Sequence, residues 1–226
     1  MKRNQWNVFN KVVGSDIHRI LLYGVAGTGK TTSACKTATN GHYNITVHED
    51  SSVADILGMW IPKGKEFKWQ DGVAIKAWTE GKLLVINEID HASGAVLTKL
   101  LAILDDISVA HLALPNGKVV KPHKDFKIIA TMNGDLSDLP TALVDRFDLR
   151  LEIDLPHPKA LEKLDEQYRT FIENEYKSKR SNVSFREMLA FQKLRAILGD
   201  SAFEVVFGKV GKDVKHALQL GTRGKK

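Results

Sequence analysis

The amino-acid sequence predicts an α/β fold, in which a parallel five-stranded sheet is flanked by helices and followed by a small C-terminal helical domain. Three observations predict it. The glycine-rich loop GVAGTGKT at residues 24–31 stands between an apolar run at 20–22 and a helix-forming run at 32–39. Continuous apolar runs recur at 83–86 and 126–131, as in strands that are buried on both faces. After residue 156 the composition changes to charged, helix-forming residues.

The loop at residues 24–31 has the composition of a phosphate-binding loop. Its three glycines allow a tight turn in which successive backbone N–H groups point inward, next to the N-terminus of the following helix. Lys30 supplies a positive charge for the β and γ phosphates, and Thr31 supplies a hydroxyl for Mg²⁺. The predicted nucleotide-binding residues are Gly24, Val25, Ala26, Gly27, Thr28, Gly29, Lys30, Thr31 and Thr32.

Composition and charge narrow the class of protein. The chain has 226 residues, a net charge of +6 and a hydrophobic content of 43%, which are ordinary values for a globular protein. The apolar runs are short and the N-terminus lacks a signal-peptide core, so we expect a cytoplasmic protein without a membrane segment. Cys35 is expected to be a small buried side chain, and the histidines lack metal-ligand spacing. The positive charge fits either an anionic ligand or nucleic acid.

The elements up to residue 71 can be placed in order. They are a polar lead-in at 1–18, a strand at 20–22, a helix ending near 40–41, a strand alternating at Ile45 and Val47, and a short helix capped by Ser52 and Asp55. Residues 59–71 then predict a β-hairpin with its turn at Pro62, Lys63 and Gly64. Its Trp60 and Trp69 would suit a peptide or nucleic-acid strand, and packing against a neighbouring helix is the alternative.

Two further strands are expected to carry chemistry at their carboxyl ends. The strand at 83–86 is followed by Asn87 and Glu88, and the strand at 126–131 is followed by Met132 and Asn133. Between them, Asp105-Asp106 ends a helix, and a hairpin at 111–121 turns at Pro115-Asn116-Gly117. The apolar side of that helix comprises Val96, Leu97, Leu100, Leu101, Ile103 and Leu104. A fifth strand alternates over 149–155.

The predicted domains are an α/β nucleotide-binding domain at 1–156 and a helical lid at 157–226. A second lid helix is expected to begin at Ser184, which forms a capping box with Glu187, and to end at Gly199. The basic tail GTRGKK is expected to be mobile. The apolar face of the first lid helix comprises Leu161, Leu164, Tyr168, Ile172 and Tyr176, and that of the second comprises Phe185, Met188, Leu189 and Leu198.

With these residues in place, the chain resembles the AAA+ ATPases, in the group of MoxR-type chaperones, the small subunit of cobaltochelatase, the McrB restriction motor and the dynein modules. The resemblance rests on five ordered motifs: GVAGTGKT at 24, LLVINEID at 83, IIATMN at 128, LVDRFDLRLEIDLP at 143 and SFRE at 184. The hairpins at 59–71 and near Asn116 resemble the two insertions of this group. The resemblance implies ATP and Mg²⁺ as ligands and a homo-oligomeric ring or spiral, usually of six subunits.

Four residues would then serve hydrolysis. Glu88 can polarise the attacking water, and Asn133 can hold it, as the sensor-1 residue does in the family. Arg146 resembles the arginine finger that reaches the next subunit, with pairing to Asp145 or Asp148 as the alternative and Arg150 in reserve. Arg186 is similar to the sensor-2 arginine of the lid, and a simple surface arginine is the alternative.

Asn87 departs from the family pattern, which has aspartate before the catalytic glutamate. The predicted magnesium site therefore comprises Thr31, Asn87 and Glu88, with a neutral amide where a carboxylate is expected. Weaker Mg²⁺ binding and slow turnover follow, and Asp90 lies further along the chain. The leading hypothesis is a remodelling ATPase with a protein client or a von Willebrand A domain partner. The alternatives are a DNA-acting motor and a nucleotide-binding scaffold.

Overall fold

The computed structural model describes residues 5–178 and 183–223, with side chains described as far as residue 220. Within it the chain divides into two compact units. One unit holds the chain up to Gly24 together with Lys30–Glu152, and the other holds Val25–Gly29 together with the chain from Ile153 onward. Residues 25–29 of the phosphate loop therefore belong to the same unit as the C-terminal helices, whereas Gly24, Lys30 and Thr31 belong to the first unit.

The first unit is built on a five-stranded parallel sheet, as predicted. The sheet order is β2-β5-β8-β1-β9, and the other strands form two antiparallel hairpins, β3-β4 and β6-β7. The strands are β1 (Arg19–Tyr23), β2 (His42–Thr46), β3 (Gly58–Lys63), β4 (Glu66–Asp71), β5 (Leu83–Asn87), β6 (Leu112–Ala113), β7 (Val119–Val120), β8 (Lys127–Thr131) and β9 (Leu149–Glu152).

Burial explains why the central strands read as continuous apolar runs. Only the first residue of β5 and of β8 is partly exposed, because both strands lie inside the sheet. The helices of this unit are α1 (Gln5–Val12), α2 (Lys30–Lys36), α3 (Val53–Leu57), α4 (Val73–Glu80), α5 (Gly94–Ile103) and α6 (Thr141–Val144). Ser52 caps α3 through the predicted box with Asp55. Strands β5, β8 and β1 are parallel neighbours in the sheet, so their carboxyl ends lie side by side.

Several boundaries differ from the sequence prediction. The polar lead-in contains α1, whose Trp6 and Phe9 are each 1% exposed and pack edge to face at 5.9 Å. Only two large apolar residues mark this helix, so its polar composition hides it. Helix α2 ends at Lys36 rather than near residue 40, and β9 ends at Glu152 rather than at 155. Helix α4 was not assigned from the sequence.

The β3-β4 hairpin turns one residue later than predicted. Lys63 pairs with Glu66, so the two-residue turn is Gly64-Lys65 and not Pro62-Lys63-Gly64. Gly64 has φ +67°, a backbone conformation that suits glycine in such a turn. Trp69 is partly buried and donates its indole N–H to Asp71 Oδ1 at 2.7 Å, whereas Trp60 is 50% exposed. Trp60 packs edge to face on the Trp69 ring at 5.7 Å and exposes the rest of its surface to solvent.

The second unit is a helical cluster. Its helices are α7 (Pro158–Leu161), α8 (Glu166–Ser178), α9 (Phe185–Leu198), α10 (Ala202–Phe207) and α11 (Gly211–Arg223). The capping box of Ser184 and Glu187 and the end of α9 at Gly199 are as predicted. Leu198 is 40% exposed, however, and the fully buried Phe191 takes its place in the core, where it contacts Phe203 and Phe207.

Helices α10 and α11 go beyond the two lid helices that the sequence predicts. Residues 221–223 of the basic tail continue α11, and 224–226 lie outside the described residues. Within the described ranges, none of the helices has the length and hydrophobicity needed to cross a membrane.

Candidate functional site

The loop at residues 25–29 is held through its backbone carbonyls. Ala26 O accepts a hydrogen bond from Tyr176 Oη at 3.2 Å, and Thr28 O accepts one from His157 N at 3.0 Å. In a trans peptide the C=O and the following N–H point in opposite directions. The N–H groups that follow Ala26 and Thr28 are therefore turned away from the helical cluster. This is the arrangement that a loop needs to offer N–H donors to an anion.

The glycines of the loop are required by its shape. Gly27 has φ +76° and Gly29 has φ +97°, which side chains rarely adopt. A Cβ on Gly27 would also lie 3.4 Å from Tyr176 Oη, and one on Gly29 would lie 3.7 Å from His157 Cβ. Thr28 is 1% exposed and donates its hydroxyl to Val25 O at 3.1 Å. The loop is thus closed by its own side chain as well as by the helices.

In the first unit, Lys30 begins α2 and brings its charge to the sheet edge. Its side chain is buried, and Nζ donates to Gly24 O at 2.9 Å and to Asn133 Oδ1 at 3.2 Å. Gly24 also forms a bridge with Gly134, next to Asn133. The predicted phosphate lysine and sensor residue therefore lie in hydrogen-bond contact.

A chain of side-chain contacts runs from the predicted magnesium hydroxyl to Asn87. Thr31 Oγ1 lies 3.5 Å from Thr131 Oγ1, which donates to Asn87 Oδ1 at 3.2 Å. The Asn87 amide donates in turn to Asn44 Oδ1 at 2.5 Å. Asn44 Nδ2 lies 3.8 Å from Cys35 Sγ, whose pKa is raised by burial. Asn87 is 5% exposed, so its carbonyl oxygen is fixed toward the threonines.

Glu88 has an unusual backbone. It is the single non-glycine residue with positive φ among the described residues, at φ 56° and ψ 44°. Its side chain is exposed, and it follows β5 directly and precedes a 3-10 turn at Ile89–His91. The left-handed conformation costs a non-glycine residue about 1–2 kcal/mol. Such strain is often found at functional positions.

Arg146 has an intrachain partner that the sequence did not suggest. Its Nη1 donates to Asp105 Oδ1 at 2.6 Å, and both side chains are partly exposed. The expected alternatives were Asp145 and Asp148, but Asp148 is bound to Arg19, and Asp145 lies 3.8 Å from the reserve residue Arg150. The α5 end therefore holds Arg146 at the surface of the first unit.

Arg186 is the second residue of α9, and its side chain is exposed. It lies close enough to Tyr176 for its charge to act on the tyrosine hydroxyl. Burial raises the pKa of Tyr176, and the hydrogen bond from Phe185 N and the charge of Arg186 act in the opposite direction. Within the second unit, the sensor-2 candidate and the phosphate loop are thus connected through one tyrosine.

Four contributors were missed from the sequence: Asn44, Thr131, His157 and Tyr176. Thr131 lies inside the quoted motif IIATMN and could have been found there. Tyr176 was assigned to an apolar helix face, which is correct for its ring and incomplete for its hydroxyl. Nothing in the sequence marks Asn44, because its role depends on pairing between β2 and β5.

The comparisons with known proteins agree with the fold. The family described as AAA domain (dynein-related subfamily) matches residues 19–147, more than half of the chain. NorQ from Paracoccus denitrificans is 29% identical over 158 residues, which cover 67% of this chain and 57% of NorQ. Midasin from Dictyostelium discoideum is 31% identical over 140 residues, which cover 57% of this chain and 2% of midasin.

Among solved structures, NtrX from Brucella abortus has the same fold, with a TM-score of 0.56 at 16% sequence identity. The match covers 82% of this chain and 44% of the NtrX chain. The chain thus spans a little over half of NorQ and a small fraction of midasin.

Proposed function

The chain belongs to the AAA domains of the dynein-related subfamily, and from this membership we propose that it binds and hydrolyses ATP to remodel a protein partner. The single observation that carries the proposal is the state of the loop backbone. Carbonyl oxygens of the loop accept hydrogen bonds from Tyr176 Oη, His157 N and Thr28 Oγ1. Lys30 Nζ donates to Asn133 Oδ1. A loop fixed in this way presents N–H groups and an ammonium to a polyphosphate.

Magnesium fits the donor set as an ion held mainly by phosphate and water oxygens. Within the described residues, no three His, Cys, Asp or Glu side chains gather into a metal cluster. Mg²⁺ in phosphate-transfer sites needs few protein ligands, and the Thr31 hydroxyl, with Asn87 Oδ1 behind Thr131, matches that requirement. When bound, the ion would neutralise charge on the phosphate oxygens. Thr31, Asn87 and Glu88 are the residues we assign to it.

The remaining residues have separate tasks. Glu88, exposed at the end of β5, accepts a proton from the attacking water, and Asn133 orients that water from the end of β8. Arg146 reaches the site of a neighbouring subunit, and Arg186 senses the γ phosphate from the lid. Arg146 is partly exposed at the surface of the first unit, and it would leave its ion pair with Asp105 to act in a neighbouring subunit. We therefore propose a ring or spiral, with six subunits as in the family.

The proposed domains are a nucleotide-binding domain at residues 1–156 and a lid at residues 157–226.

The β3-β4 hairpin is the element proposed to contact the partner, since Met59, Trp60 and Phe67 are exposed on it. Exposed aromatic residues beside Lys63, Lys65 and Lys68 also suit nucleic acid, so a DNA-acting motor is the second candidate. A von Willebrand A domain is one partner that the family resemblance implies.

Lys30→Ala tests the phosphate-loop assignment, with Lys36→Ala as a matched control. Both lysines belong to α2, but Lys36 is exposed at its end and lies outside the proposed site. Lys30→Ala should abolish ATP binding or turnover, because the charge on the β and γ phosphates is removed. Lys36→Ala should bind and hydrolyse ATP normally. Equal ATP affinity and turnover in Lys30→Ala and the wild type would refute the assignment.

The choice between a protein remodeller and a DNA motor needs a second measurement. The ATPase rate is measured with and without DNA, while light scattering gives the mass of the assembly. Stimulation by DNA would favour the motor. An assembly that hydrolyses ATP without any response to DNA would favour a protein partner. A monomer at saturating ATP would contradict the proposed ring.

A further inference from the structure

The hydroxyl of Tyr176 joins three elements of the second unit. Tyr176 lies near the end of α8, and its Oη donates to Ala26 O of the loop at 3.2 Å. The same oxygen accepts a hydrogen bond from Phe185 N, at the start of α9, at 3.1 Å. A single oxygen therefore links the phosphate loop to the helix that carries Arg186.

Packing does not require this hydroxyl. The Tyr176 ring is 2% exposed in a core of apolar side chains, and a phenylalanine ring would fill the same space. A hydroxyl buried in such a core is costly unless it is hydrogen bonded. Both of its bonds run to backbone groups, and one of them belongs to the proposed nucleotide site. The hydroxyl therefore has a task other than filling the core.

We propose that Tyr176 is a positioning residue for nucleotide binding, which orients the Ala26 peptide of the loop and ties it to the start of α9. The inference rests on the proposed function, because it concerns the same loop. With the Ala26 carbonyl held by Tyr176 Oη, the N–H of Gly27 points away from the tyrosine, where it can donate to the proposed phosphate. Loss of the hydroxyl leaves this peptide free to rotate, so binding must order it again.

Tyr176→Phe tests the inference, and Tyr168→Phe is its matched control. Tyr168 is 4% exposed in the same core, and its hydroxyl accepts a hydrogen bond from Arg195 Nη1 at 3.1 Å, without contact to the loop. Both variants remove one buried tyrosine hydroxyl, and Tyr176→Phe should lose more thermal stability because it loses two hydrogen bonds and Tyr168→Phe loses one. Only Tyr176→Phe should weaken nucleotide binding, by about fivefold to tenfold, the value of one hydrogen bond.

The readouts are the Kd values of ATP and ADP, the KM and kcat for ATP, and amide hydrogen exchange of residues 25–29 without nucleotide. We expect a higher Kd for both nucleotides and a higher KM at nearly unchanged kcat, because the phosphates that the loop binds are common to both. Exchange of the loop amides should be faster in Tyr176→Phe than in Tyr168→Phe.

Three outcomes would overturn the inference. They are equal Kd values in the two variants, unchanged loop exchange in Tyr176→Phe, and unfolding of Tyr176→Phe alone, which would make the hydroxyl purely structural. Lys30→Ala separates this failure from that of the proposed function. If Lys30→Ala binds no ATP while Tyr176→Phe matches its control, only the inference about Tyr176 is wrong. If Lys30→Ala binds ATP normally, the proposed nucleotide site is wrong.

Discussion

The substitution Asn87→Asp tests whether the neutral amide of Asn87 limits the rate of ATP hydrolysis. The substitution places a carboxylate where Asn87 now accepts from Thr131 Oγ1, which in turn lies 3.5 Å from Thr31 Oγ1. A charge-assisted hydrogen bond is about twice as strong as a neutral one, a gain on the order of 1 kcal/mol or roughly tenfold in rate. We therefore expect tighter Mg²⁺ binding and faster turnover.

The structure also sets the cost of this change. The new carboxylate would face Asn44 Oδ1, which now accepts from the Asn87 amide at 2.5 Å. Asn44 is exposed and can turn its amide, giving up only its 3.8 Å contact with Cys35 Sγ. A donor would then face the carboxylate. The Ile45 carbonyl, which now accepts from the Asn87 amide at 3.4 Å, cannot turn and would face a carboxylate at a position that is 5% exposed, so we expect the free energy of unfolding to fall by about 1–3 kcal/mol.

The assay is the ATPase rate as a function of Mg²⁺ concentration, with Asn44→Ala as control. That variant removes the partner of Asn87 without adding charge, so it should leave the Mg²⁺ midpoint unchanged. A lower midpoint and a faster rate in Asn87→Asp alone would identify Asn87 as a brake. If neither quantity changes, another group already supplies the charge, and the reasoning is refuted. Asp90 is the candidate, because its Oδ1 is buried without a hydrogen-bond partner in the described part of the chain.

Two further predictions concern Arg146 and Asp148. Arg146→Ala should bind ATP normally and lose turnover by about 10³-fold to 10⁵-fold. Mixing this variant with Glu88→Gln should restore activity at interfaces between the two variants. If activity does not recover, the arginine acts within its own subunit. Burial raises the pKa of Asp148, but the hydrogen bond and the charge of Arg19 outweigh burial, so the pKa is lowered. The Asp148 carboxylate therefore stabilises the fold above about pH 4, and this stabilisation is lost as the pH falls further. Asp148→Asn should therefore lower the free energy of unfolding by about 1–2 kcal/mol at pH 7 and by less in acid, and urea unfolding that gives equal differences at both pH values would contradict this.

The fold followed from the sequence where local pattern and burial agree. The runs at β5 and β8 are apolar throughout because both strands are interior, and the Ser52 and Ser184 caps form within one helical turn. Prediction failed where one or two residues determine whether an element forms or where it ends. Helix α1 depends on Trp6 and Phe9, and the hairpin turn depends on the φ of Gly64 rather than on the presence of Pro62.

The site could be predicted only in part for a similar reason. Lys30 and Asn133 come from recognisable motifs, and the structure places them 3.2 Å apart. The Asn44 contact with Asn87 and the Tyr176 contact with Ala26 join residues that are far apart in sequence. Such contacts depend on strand order and helix packing, which a local sequence pattern does not reveal. The roles of Glu88, Arg146 and Arg186 stay predictions.

In the proposed mechanism, the strained backbone of Glu88 opposes the chemical role of its side chain. Glycine or asparagine would adopt φ 56° with less strain than glutamate, so a search for thermal stability alone would replace this residue. A more heat-resistant form of the chain, obtained by random mutation, would then tend to lose its carboxylate first. For this protein, selection by melting temperature and selection by turnover would push position 88 in opposite directions.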